Sequence, residues 1–301
     1  MINELRQLHT MSTYYPVYPT TLTKQHNLDA LNSLMFLIEK RNGDIKAQAC
    51  ADGSKQSKQV NYKKEDNAST TCSNEGILIT SAIKAHKERD VATIDIPMAF
   101  LHAHTDELIY MLLRGPLAEL MVMFDPVLYK DFITYNLKGQ ALMYVRTNKA
   151  LYGMLKIALQ FYLKFCSDIE AYDFKVNLYD HCLANHDLNS HEMNVTWHVD
   201  DLKVSQKDPF EINKFAHYLS LQYGKKLTVK RGKLHDYLGM DLDYSKKGAV
   251  KVRMMKYLQK VEDKFPIEII GTAKSLACKN LFQVRDDDDP RKHYLDATRA
   301  M

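Results

Sequence analysis

The feature that most restricts the fold of this chain is a pair of adjacent aspartates, Asp200 and Asp201, placed between two segments that favour β-strands. Residues 193–199 and 202–205 carry β-branched side chains, and the short polar connection between them predicts a hairpin. Hairpin signals dominate the second half of the chain, and strands and helices do not alternate strictly. We therefore expect an α+β fold with an antiparallel sheet, rather than a doubly wound parallel sheet.

The composition is that of an ordinary globular protein, with 301 residues of which 46% are hydrophobic and 26% are charged. This length suits one large domain or two closely packed subdomains. The formal net charge of +4 permits a nucleic-acid partner without requiring one. The most apolar long stretch, residues 108–124, is interrupted by Arg114, Pro116 and Glu119, so we expect no membrane span and no membrane partner.

The cysteines indicate a reducing compartment. They are scattered without a Cys-x-x-Cys pair, and the first residues of the chain are polar, unlike a secretion signal. We therefore expect an intracellular, cytoplasmic protein with free thiols. A zinc site at His181, Cys182 and His186 is an alternative for that segment, although the sequence offers no second cysteine pair to complete it.

Hydrophobic periodicity and turn signals predict the remaining elements. Residues 1–27 show little periodicity and predict an irregular lead-in. The three- and four-residue spacing of apolar side chains from Leu28 onward predicts a helix that ends near Gly43. The polar tail, residues 271–301, is expected to be disordered. The other predicted elements are helices over 77–89, 155–172, 208–223 (with Asp208 as N-cap and Pro209 at its start) and 257–265, and strands over 45–51, 91–96, 142–145, 227–229, 237–242 and 250–253.

A third carboxylate, Asp95, stands at the end of another predicted strand, far from Asp200 and Asp201 in the sequence. If the fold brings the three carboxylates together, their oxygen atoms suit two hard divalent cations, Mg²⁺ above all. Two such ions about 3.5–4 Å apart can activate an attacking hydroxyl and stabilise a leaving pyrophosphate. The alternative is that the aspartate pair serves only the chemistry of the turn.

Several short segments resemble, in order, the motifs of the reverse transcriptase of copia-type long-terminal-repeat retrotransposons. They are residues 46–53 (KAQACADG), 95–100 (DIPMAF), 150–153 (ALYG), 198–201 (HVDD) and 237–240 (YLGM), followed by a helix that carries Tyr257 and Phe265. The resemblance covers residues 28–270, and its strength lies in the order of the motifs.

This resemblance implies a right-hand polymerase fold within residues 28–270. The fold would have a palm whose antiparallel sheet packs on helices, fingers, and the beginning of a thumb. The implied activity is synthesis of DNA from deoxynucleoside triphosphates on a primed RNA or DNA template. By their positions in the motifs, Asp95, Asp200 and Asp201 would be the catalytic residues that bind two Mg²⁺ ions, with Mn²⁺ as a substitute.

By the same resemblance, Phe100, Lys46 and Gly153 would bind the substrate. Phe100 would be the aromatic gate beneath the sugar, where a bulky ring leaves no room for a ribose 2′-hydroxyl. Gly153 would let the backbone approach the nucleotide or template, because glycine has no Cβ. The residues themselves also allow plainer interpretations, namely a core aromatic for Phe100 and a helix-start turn for Gly153.

A basic cluster precedes the 237–240 motif, and it either tracks nucleic-acid phosphates or forms an ordinary solvated face. Its members are Lys225, Lys226, Lys230, Arg231 and Lys233.

The chain departs from the family pattern at positions that bear on catalysis. Gln48 stands where the fingers motif has an arginine, and a neutral amide cannot pair with triphosphate charge. Leu155 stands where the family has a lysine, next to Lys156, and His198 replaces the tyrosine of the Tyr-Val-Asp-Asp box.

Three hypotheses therefore compete. The chain is an active polymerase fragment, a decayed remnant that keeps the fold and nucleic-acid binding without turnover, or a protein-interaction module that keeps only the scaffold. The length leaves no room for protease, integrase or ribonuclease H domains, so we expect a fragment. A fragment of an intact element would act in a virus-like particle.

Overall fold

The computed structural model describes residues 2–39, 43, 45–58, 68–188, 191–224 and 227–264. The chain divides into two compact units, Met1–Met254 and Met255–Met301. The first unit contains α1 (Ile2–Thr10), β1 (Tyr14–Val17), α2 (Lys24–Asp29), β2 (Leu31–Glu39), β3 (Ile45–Ala51), α3 (Asn74–His86), β4 (Asp90–Asp95), β5 (Tyr110–Arg114), α4 (Pro116–Phe124), α5 (Pro126–Tyr129), β6 (Thr134–Tyr135), β7 (Ala141–Thr147), α6 (Ile157–Glu170), β8 (Lys175–Val176), β9 (Leu183–Leu188), β10 (His191–His198), β11 (Asp201–Gln206), α7 (Pro209–Tyr223), β12 (Thr228–Arg231), β13 (Leu234–Tyr237), β14 (Met240–Asp243) and β15 (Lys251–Arg253). The second unit contributes α8 (Met255–Asp263).

The central sheet of the first unit has the strand order β12-β4-β11-β10-β9-β8, and every neighbouring pair is antiparallel. Alternate side chains of its strands, such as Ile94 and Val204, belong to one buried cluster with Phe165 of α6 and Phe215 of α7. Removing this apolar surface from water is the main contribution that holds the layers together. The predicted α+β fold, with an antiparallel sheet packed on helices, is confirmed, and these two layers correspond to the expected palm.

Elements with strong local signals form where they are predicted. The hairpin around the aspartate pair is formed by β10 and β11. Asp208 caps α7, because its carboxylate accepts a hydrogen bond from the Phe210 N–H at 2.9 Å, and Pro209 occupies the first turn. The helices predicted over 77–89 and 155–172 are α3 and α6, and the strands predicted over 45–51, 91–96 and 142–145 are β3, β4 and β7.

A first sheet precedes the central one in the chain, with the order β1-β7-β5-β2-β3 and β6 beside β7. Its pairs are antiparallel except for β2 and β5, which are parallel. Buried side chains such as Met143 and Val145 form a second cluster with Leu5 of α1 and Met121 of α4. This sheet contains the expected fingers motif in β3.

The predicted helix over residues 28–43 is wrong, because Leu31–Glu39 form the strand β2. In the ladder with β3, Leu34 pairs with Cys50 and Phe36 pairs with Gln48. Residues 34–38 are all apolar, so apolar side chains occur at the helical spacing and at every other spacing as well. Periodicity cannot separate helix from strand in such a run, and pairing with distant strands decides for the strand.

The predicted lack of regular structure in residues 1–27 is also wrong. This segment contains α1, β1 and α2, with Leu5 and Leu8 buried and β1 paired with β7. Elements this short draw their stability from distant contacts, which the local pattern does not reveal. The domain boundaries at 28 and 270 stay a prediction, and Phe265 and the tail 271–301 lie outside the described residues.

The strand predicted over 237–242 is two strands instead. β13 and β14 are joined by Leu238 and Gly239, whose φ angles are 51° and 78°. Two consecutive positive φ angles are typical of the tight turns that connect antiparallel strands.

None of the helices that the structure describes is long and apolar enough to cross a membrane.

The other face of the central sheet meets α3 and a third sheet with the order β13-β14-β15. Val91 of β4 joins Ile77 of α3 and Leu242 of β14 in a third buried cluster. The central sheet is therefore covered on both faces near the start of β4.

Lys203 of β11 is a buried cation with 3% of its surface exposed. Its Nζ donates hydrogen bonds to the Oγ1 of Thr80 at 2.8 Å, to the Oγ of Ser81 at 2.9 Å and to the Ile77 carbonyl at 3.3 Å. These acceptors are uncharged, and burial lowers the pKa of Lys203 from 10.5 to about 7. The folded chain therefore holds this proton less tightly than the unfolded chain does.

Gly153 allows two backbone segments to touch. It has a φ of +89°, and a Cβ there would lie 1.9 Å from the Ala51 carbonyl oxygen. A Cβ on Gly53 would lie 2.0 Å from the Gly153 carbonyl oxygen. The Ala51 N–H donates a hydrogen bond to the Tyr152 carbonyl at 2.7 Å. The end of β3 and the 150–153 segment thus pack backbone against backbone, which requires glycine.

Replacing Lys203 with methionine should flatten the pH dependence of stability. Because folding lowers the pKa of Lys203, the unfolded chain binds more protons between about pH 7 and pH 10.5, and the free energy of unfolding rises with pH across that window. Each unit of pKa difference corresponds to about 1.4 kcal/mol. Lys203→Met should reduce this rise and stabilise the protein most at the acidic end, as urea unfolding at a series of pH values would measure.

The matched control for this experiment is Lys175→Met, which changes an exposed lysine of the same sheet. It should leave the slope of stability against pH unchanged. A wild-type slope in the Lys203→Met variant would show that Lys203 is not the group responsible.

Gly153→Ala should destabilise the protein more than Gly139→Ala. The two glycines have φ angles of +89° and +73°, so alanine is strained at both, by about 1–2 kcal/mol. Only at Gly153 would the new Cβ also meet backbone atoms, since nothing lies within 4 Å at Gly139. We expect Gly153→Ala to lower the free energy of unfolding by more than about 3 kcal/mol in chemical denaturation. Equal losses in the two variants would contradict the packing role.

Candidate active site

The register of two central strands places two of the candidate carboxylates opposite each other. β4 and β11 are antiparallel neighbours in which Asp95 pairs directly with Asp201. Directly opposed residues in such a pair have Cβ atoms about 4.5–5.5 Å apart. The Ile96 N–H donates a hydrogen bond to the Asp200 carbonyl at 3.0 Å, which ties the end of β4 to the hairpin turn. The fold therefore brings Asp95 to the aspartate pair from a distant part of the sequence.

The turn that carries Asp200 is tight and strained. His198 pairs with Asp201, which leaves Val199 and Asp200 as the two loop residues. Val199 has a φ of 58°, a conformation that β-branched residues rarely adopt. Strain of this kind costs about 1–3 kcal/mol, and it persists where the surrounding structure enforces it, often at functional sites. Here the β10–β11 ladder and the hydrogen bond from Ile96 hold the turn in place.

The carboxylates at this turn repel one another. The pKa of Asp201 is raised, first by its partial burial and then by the negative charges of Asp200 and Asp95. His198 and Lys230 act in the opposite direction without cancelling the effect. The site therefore holds an excess of negative charge in a partly desolvated place, which a bound cation would offset.

The donor chemistry of Asp95 and Asp201 fits a hard divalent cation, because their opposed carboxylate oxygens are the ligands that Mg²⁺ prefers. Within the described ranges, however, no three His, Cys, Asp or Glu side chains are grouped so that they could hold one ion. Asp200 lies in the turn while Asp201 begins β11, and neighbouring residues of an extended chain point to opposite faces. That all three carboxylates bind metal together therefore stays a prediction.

Phe100 lies at the edge of the buried cluster of the central sheet, in a short 3₁₀ helix, Ala99–His102, that follows β4. Its ring meets the Tyr152 ring edge-on, with 5.0 Å between centroids, and the Phe161 ring at 6.2 Å. Part of Phe100 thus packs as a core aromatic. The rest of the Phe100 side chain is exposed to solvent, and Phe100 follows Asp95 by five positions in the sequence. Its role as a gate stays a prediction.

Tyr152 is a residue of this site that the sequence did not single out. The pKa of its hydroxyl is raised to about 12, first by burial and then by acidic groups that include Asp200 and Asp95. The phenol therefore stays neutral, beside both the candidate carboxylates and Phe100. The sequence signal that could have identified Tyr152 as a site residue was its position in the ALYG motif, next to Gly153.

The other two residues predicted to bind the substrate lie on or against β3. Lys46 pairs with Ile38 of β2, and only its backbone belongs to the described part of the chain. Gly153 lies against Ala51 at the end of the same strand. The close approach that Gly153 allows here is to the chain's own backbone. A contact of either residue with substrate stays a prediction.

Part of the basic cluster lies beside Asp95. β12 pairs with the outer side of β4, with Thr228 opposite Asp95 and Lys230 two positions farther along. Lys225 and Lys226 lie outside the described residues. The edge of the central sheet next to Asp95 therefore carries at least one exposed cation.

Solved polymerase structures resemble this chain at low similarity. The telomerase of Candida albicans, in complex with a fragment of telomeric RNA, is 9% identical with a TM-score of 0.41, over 83% of this chain and 50% of that one. The apo telomerase of Candida tropicalis is 14% identical with a TM-score of 0.42, over 83% and 53%. A foamy viral protease-reverse transcriptase in complex with double-stranded DNA is 11% identical with a TM-score of 0.45, over 88% and 37%. The chain thus spans about half or less of the length of these proteins.

No curated protein matches the sequence. A family model, by contrast, matches residues 37–274, which is most of the chain. The matched range includes β4, the β10–β11 hairpin and the opposed Asp95 and Asp201. With the antiparallel sheet on its two helices and the aspartates at the junction of its central strands, the chain belongs to the reverse transcriptase (RNA-dependent DNA polymerase) family.

Proposed function

We propose that this chain is the reverse transcriptase domain of a copia-type retrotransposon and that it acts inside the cell. It would extend a primer on an RNA or DNA template from deoxynucleoside triphosphates. The observation that carries the proposal is the register of β4 and β11, which sets Asp95 opposite Asp201 beside a strained turn. The copia-type assignment rests on the order of the motifs, from residues 46–53 to 237–240.

In this proposal the aspartates hold the divalent cations. Asp95 and Asp201 would be ligands from opposite strands, with Asp200 as a third. When bound, two Mg²⁺ ions, or Mn²⁺ in their place, would activate the primer 3′-hydroxyl and neutralise charge on the phosphates. The raised pKa of Asp201 reflects first its partial burial and then the repulsion from Asp200 and Asp95, which such cations would relieve. The contribution of the protein is then mainly to hold these carboxylates in position, as in other phosphoryl transfers.

Phe100 would exclude ribonucleotides, and Tyr152 would restrain the ring through their edge-on contact. Tyr152 is in turn held by the hydrogen bond from the Ala51 N–H to its carbonyl. Gly153 lets this segment lie against Ala51, the last residue of the strand that carries Lys46. A strand that would contact the triphosphate is thus connected to the proposed gate by a short series of backbone and ring contacts.

The second candidate function is that of a catalytically inactive relative that keeps the fold and binds nucleic acid. The observation that favours it is Gln48, which occupies its position in β3 opposite Phe36 but offers no positive charge to a triphosphate. Leu155 and His198 are further departures from the family pattern. The two candidates agree on the fold and differ only in turnover.

Divalent cations should stabilise the protein if the aspartates bind them. A metal that binds only the folded chain adds about 2.7 kcal/mol at a concentration of 100 times its Kd, and each kcal/mol raises Tm by about 2–4 °C in a domain of this size. Asp201→Asn should raise Tm without metal, because it removes the repulsion with Asp95 and Asp200, and it should abolish the metal-dependent shift. Thermal unfolding with and without Mg²⁺ or Mn²⁺ measures both effects.

Asp187→Asn is the matched control for the metal experiment, because Asp187 is an exposed aspartate of the same sheet. It should keep the wild-type shift. If neither metal shifts the Tm of the wild-type protein, the aspartate pair serves only to form the turn, and the scaffold-only hypothesis is favoured.

Primer extension on an RNA template with Mg²⁺ tests the proposed function directly. The wild-type chain and Asp187→Asn should incorporate deoxynucleotides, whereas Asp201→Asn should be slower on the order of 100-fold or more. Wild-type incorporation no higher than that of Asp201→Asn would overturn the proposal. If the chain then still bound a primer–template with an affinity that falls with salt, the inactive relative would be the correct alternative.

A further inference from the structure

The end of the central sheet away from Asp95 borders a cavity of about 520 Å³. The cavity lies between the end of α3, the start of β4 and the turns that follow β12 and β14, where it is lined by residues such as Ala85, Gly232 and Gly248. Asp90 lines it and begins β4, whereas Asp95 ends the same strand. At about 3.3 Å per residue, the two positions are roughly 17 Å apart. The cavity is therefore separate from the candidate active site.

Cations dominate the lining of this cavity. They are Lys84, Arg89, Lys207, Lys233, Lys246 and Lys247, against the acids Glu88 and Asp90. Both acids are already paired, Glu88 with Lys247 at 3.1 Å and Asp90 with Arg231. Four lysines of the lining, Lys84, Lys207, Lys233 and Lys246, make no ion pair with any described residue. The cavity therefore has a positive charge that the protein does not compensate.

Lys84 is the least solvated of these lysines, with 6% of its surface exposed. Its Nζ lies 3.5 Å from the centroid of the Tyr244 ring, a contact that stabilises a cation only in part. Burial above all, and the charge of Lys233 in addition, lower the pKa of Lys84 to about 8, although Asp90 acts in the opposite direction. A buried cation of this kind gains more from an added anion than an exposed lysine does.

Arg89 adds a second buried donor to the lining, with 5% of its surface exposed. Its Nη2 donates to Glu192 at 3.2 Å, while its Nη1 is buried without a hydrogen-bond acceptor among the described residues. Buried donors normally have an acceptor, so an anion in or beside this cavity would complete the hydrogen bonding.

We propose that this cavity is a second phosphate-binding site, which takes the phosphate groups of a free diphosphate or of a nucleic-acid strand. Lysine is a common ligand of phosphate, to which it presents a compact point charge. The unpaired lysines come from α3, from the turn before α7 and from the turns after β12 and β14, so four separate parts of the chain contribute cations to the lining. An anion with several negative charges would meet more of them than a single carboxylate would.

Isothermal titration of the full chain with inorganic pyrophosphate tests this site, and fluorescence anisotropy with a single-stranded oligonucleotide forms the second arm. The test variant combines Lys233→Glu with Lys246→Glu, which reverses charge at two exposed lysines of the cavity. The control combines Lys138→Glu with Lys175→Glu, two exposed lysines outside it, and makes the same change in net charge. The Kd should rise at least about tenfold in the test variant and stay near the wild-type value in the control.

The responding probe identifies the source of the phosphate. A loss confined to pyrophosphate indicates a free diphosphate, and a loss for the oligonucleotide indicates a nucleic-acid strand. The proposal is overturned if wild type binds neither probe, or if the test and control variants lose affinity equally, since a general effect of net charge would then explain the binding. Thermal unfolding without ligand checks that each variant folds.

Two further variants complete the test. Lys84→Met removes the buried cation without reversing any charge, and it should also raise the Kd at least about tenfold. In a titration without divalent cations, Asp201→Asn should leave pyrophosphate binding unchanged, so that failure of the proposed catalysis and failure of this site are separate results. If Asp201→Asn changes the Kd for pyrophosphate and Lys84→Met does not, the anion binds at the candidate active site and the proposal is overturned.

Discussion

The pairing of β4 with β11 is the interaction on which the rest of the first unit depends. Its register runs from Asp95 opposite Asp201 to Asp90 opposite Gln206. A slip of one residue would turn the side chains of a strand to the opposite face, and it would move residues such as Ile94 away from the helices against which they are buried. The burial of alternate apolar side chains therefore also sets the position of the carboxylates at one end of the strand and of the basic cavity at the other.

Several unfavourable features gather on the β10–β11 hairpin. Val199 is strained, Asp201 carries a raised pKa beside other acids, and Lys203 is buried among uncharged acceptors. The same hairpin contributes Trp197 to the buried cluster with α6 and α7, and that packing offsets these costs. Perturbed ionisable groups are typical of functional sites, and this is why we propose a catalytic role for the hairpin in addition to its role as a turn.

Family membership and catalysis depend on different residues of this chain. The fold depends on buried apolar side chains and on backbone contacts such as that between Gly153 and Ala51. The proposed catalysis would depend on polar side chains at the surface of that fold, where the aspartates remain and Gln48 departs from the family pattern. Gln48 keeps its pairing with Phe36 in β3, so the loss of charge leaves the strand intact. A well-formed fold is therefore compatible with either an active or an inactive protein.

The sequence by itself determined the elements that near neighbours in the chain stabilise. The cap of α7 at Asp208 and the hairpin at the aspartate pair are of this kind. The order of motifs, which is also read from the sequence alone, pointed to Asp95 as a partner of that pair. The tertiary structure decided what depends on distant partners. It made residues 31–39 a strand rather than a helix, ordered the first 27 residues, and gathered lysines from several elements around one cavity. It alone set Asp95 opposite Asp201, because strand register follows from burying whole faces of a sheet, and spacing along the sequence does not contain that information.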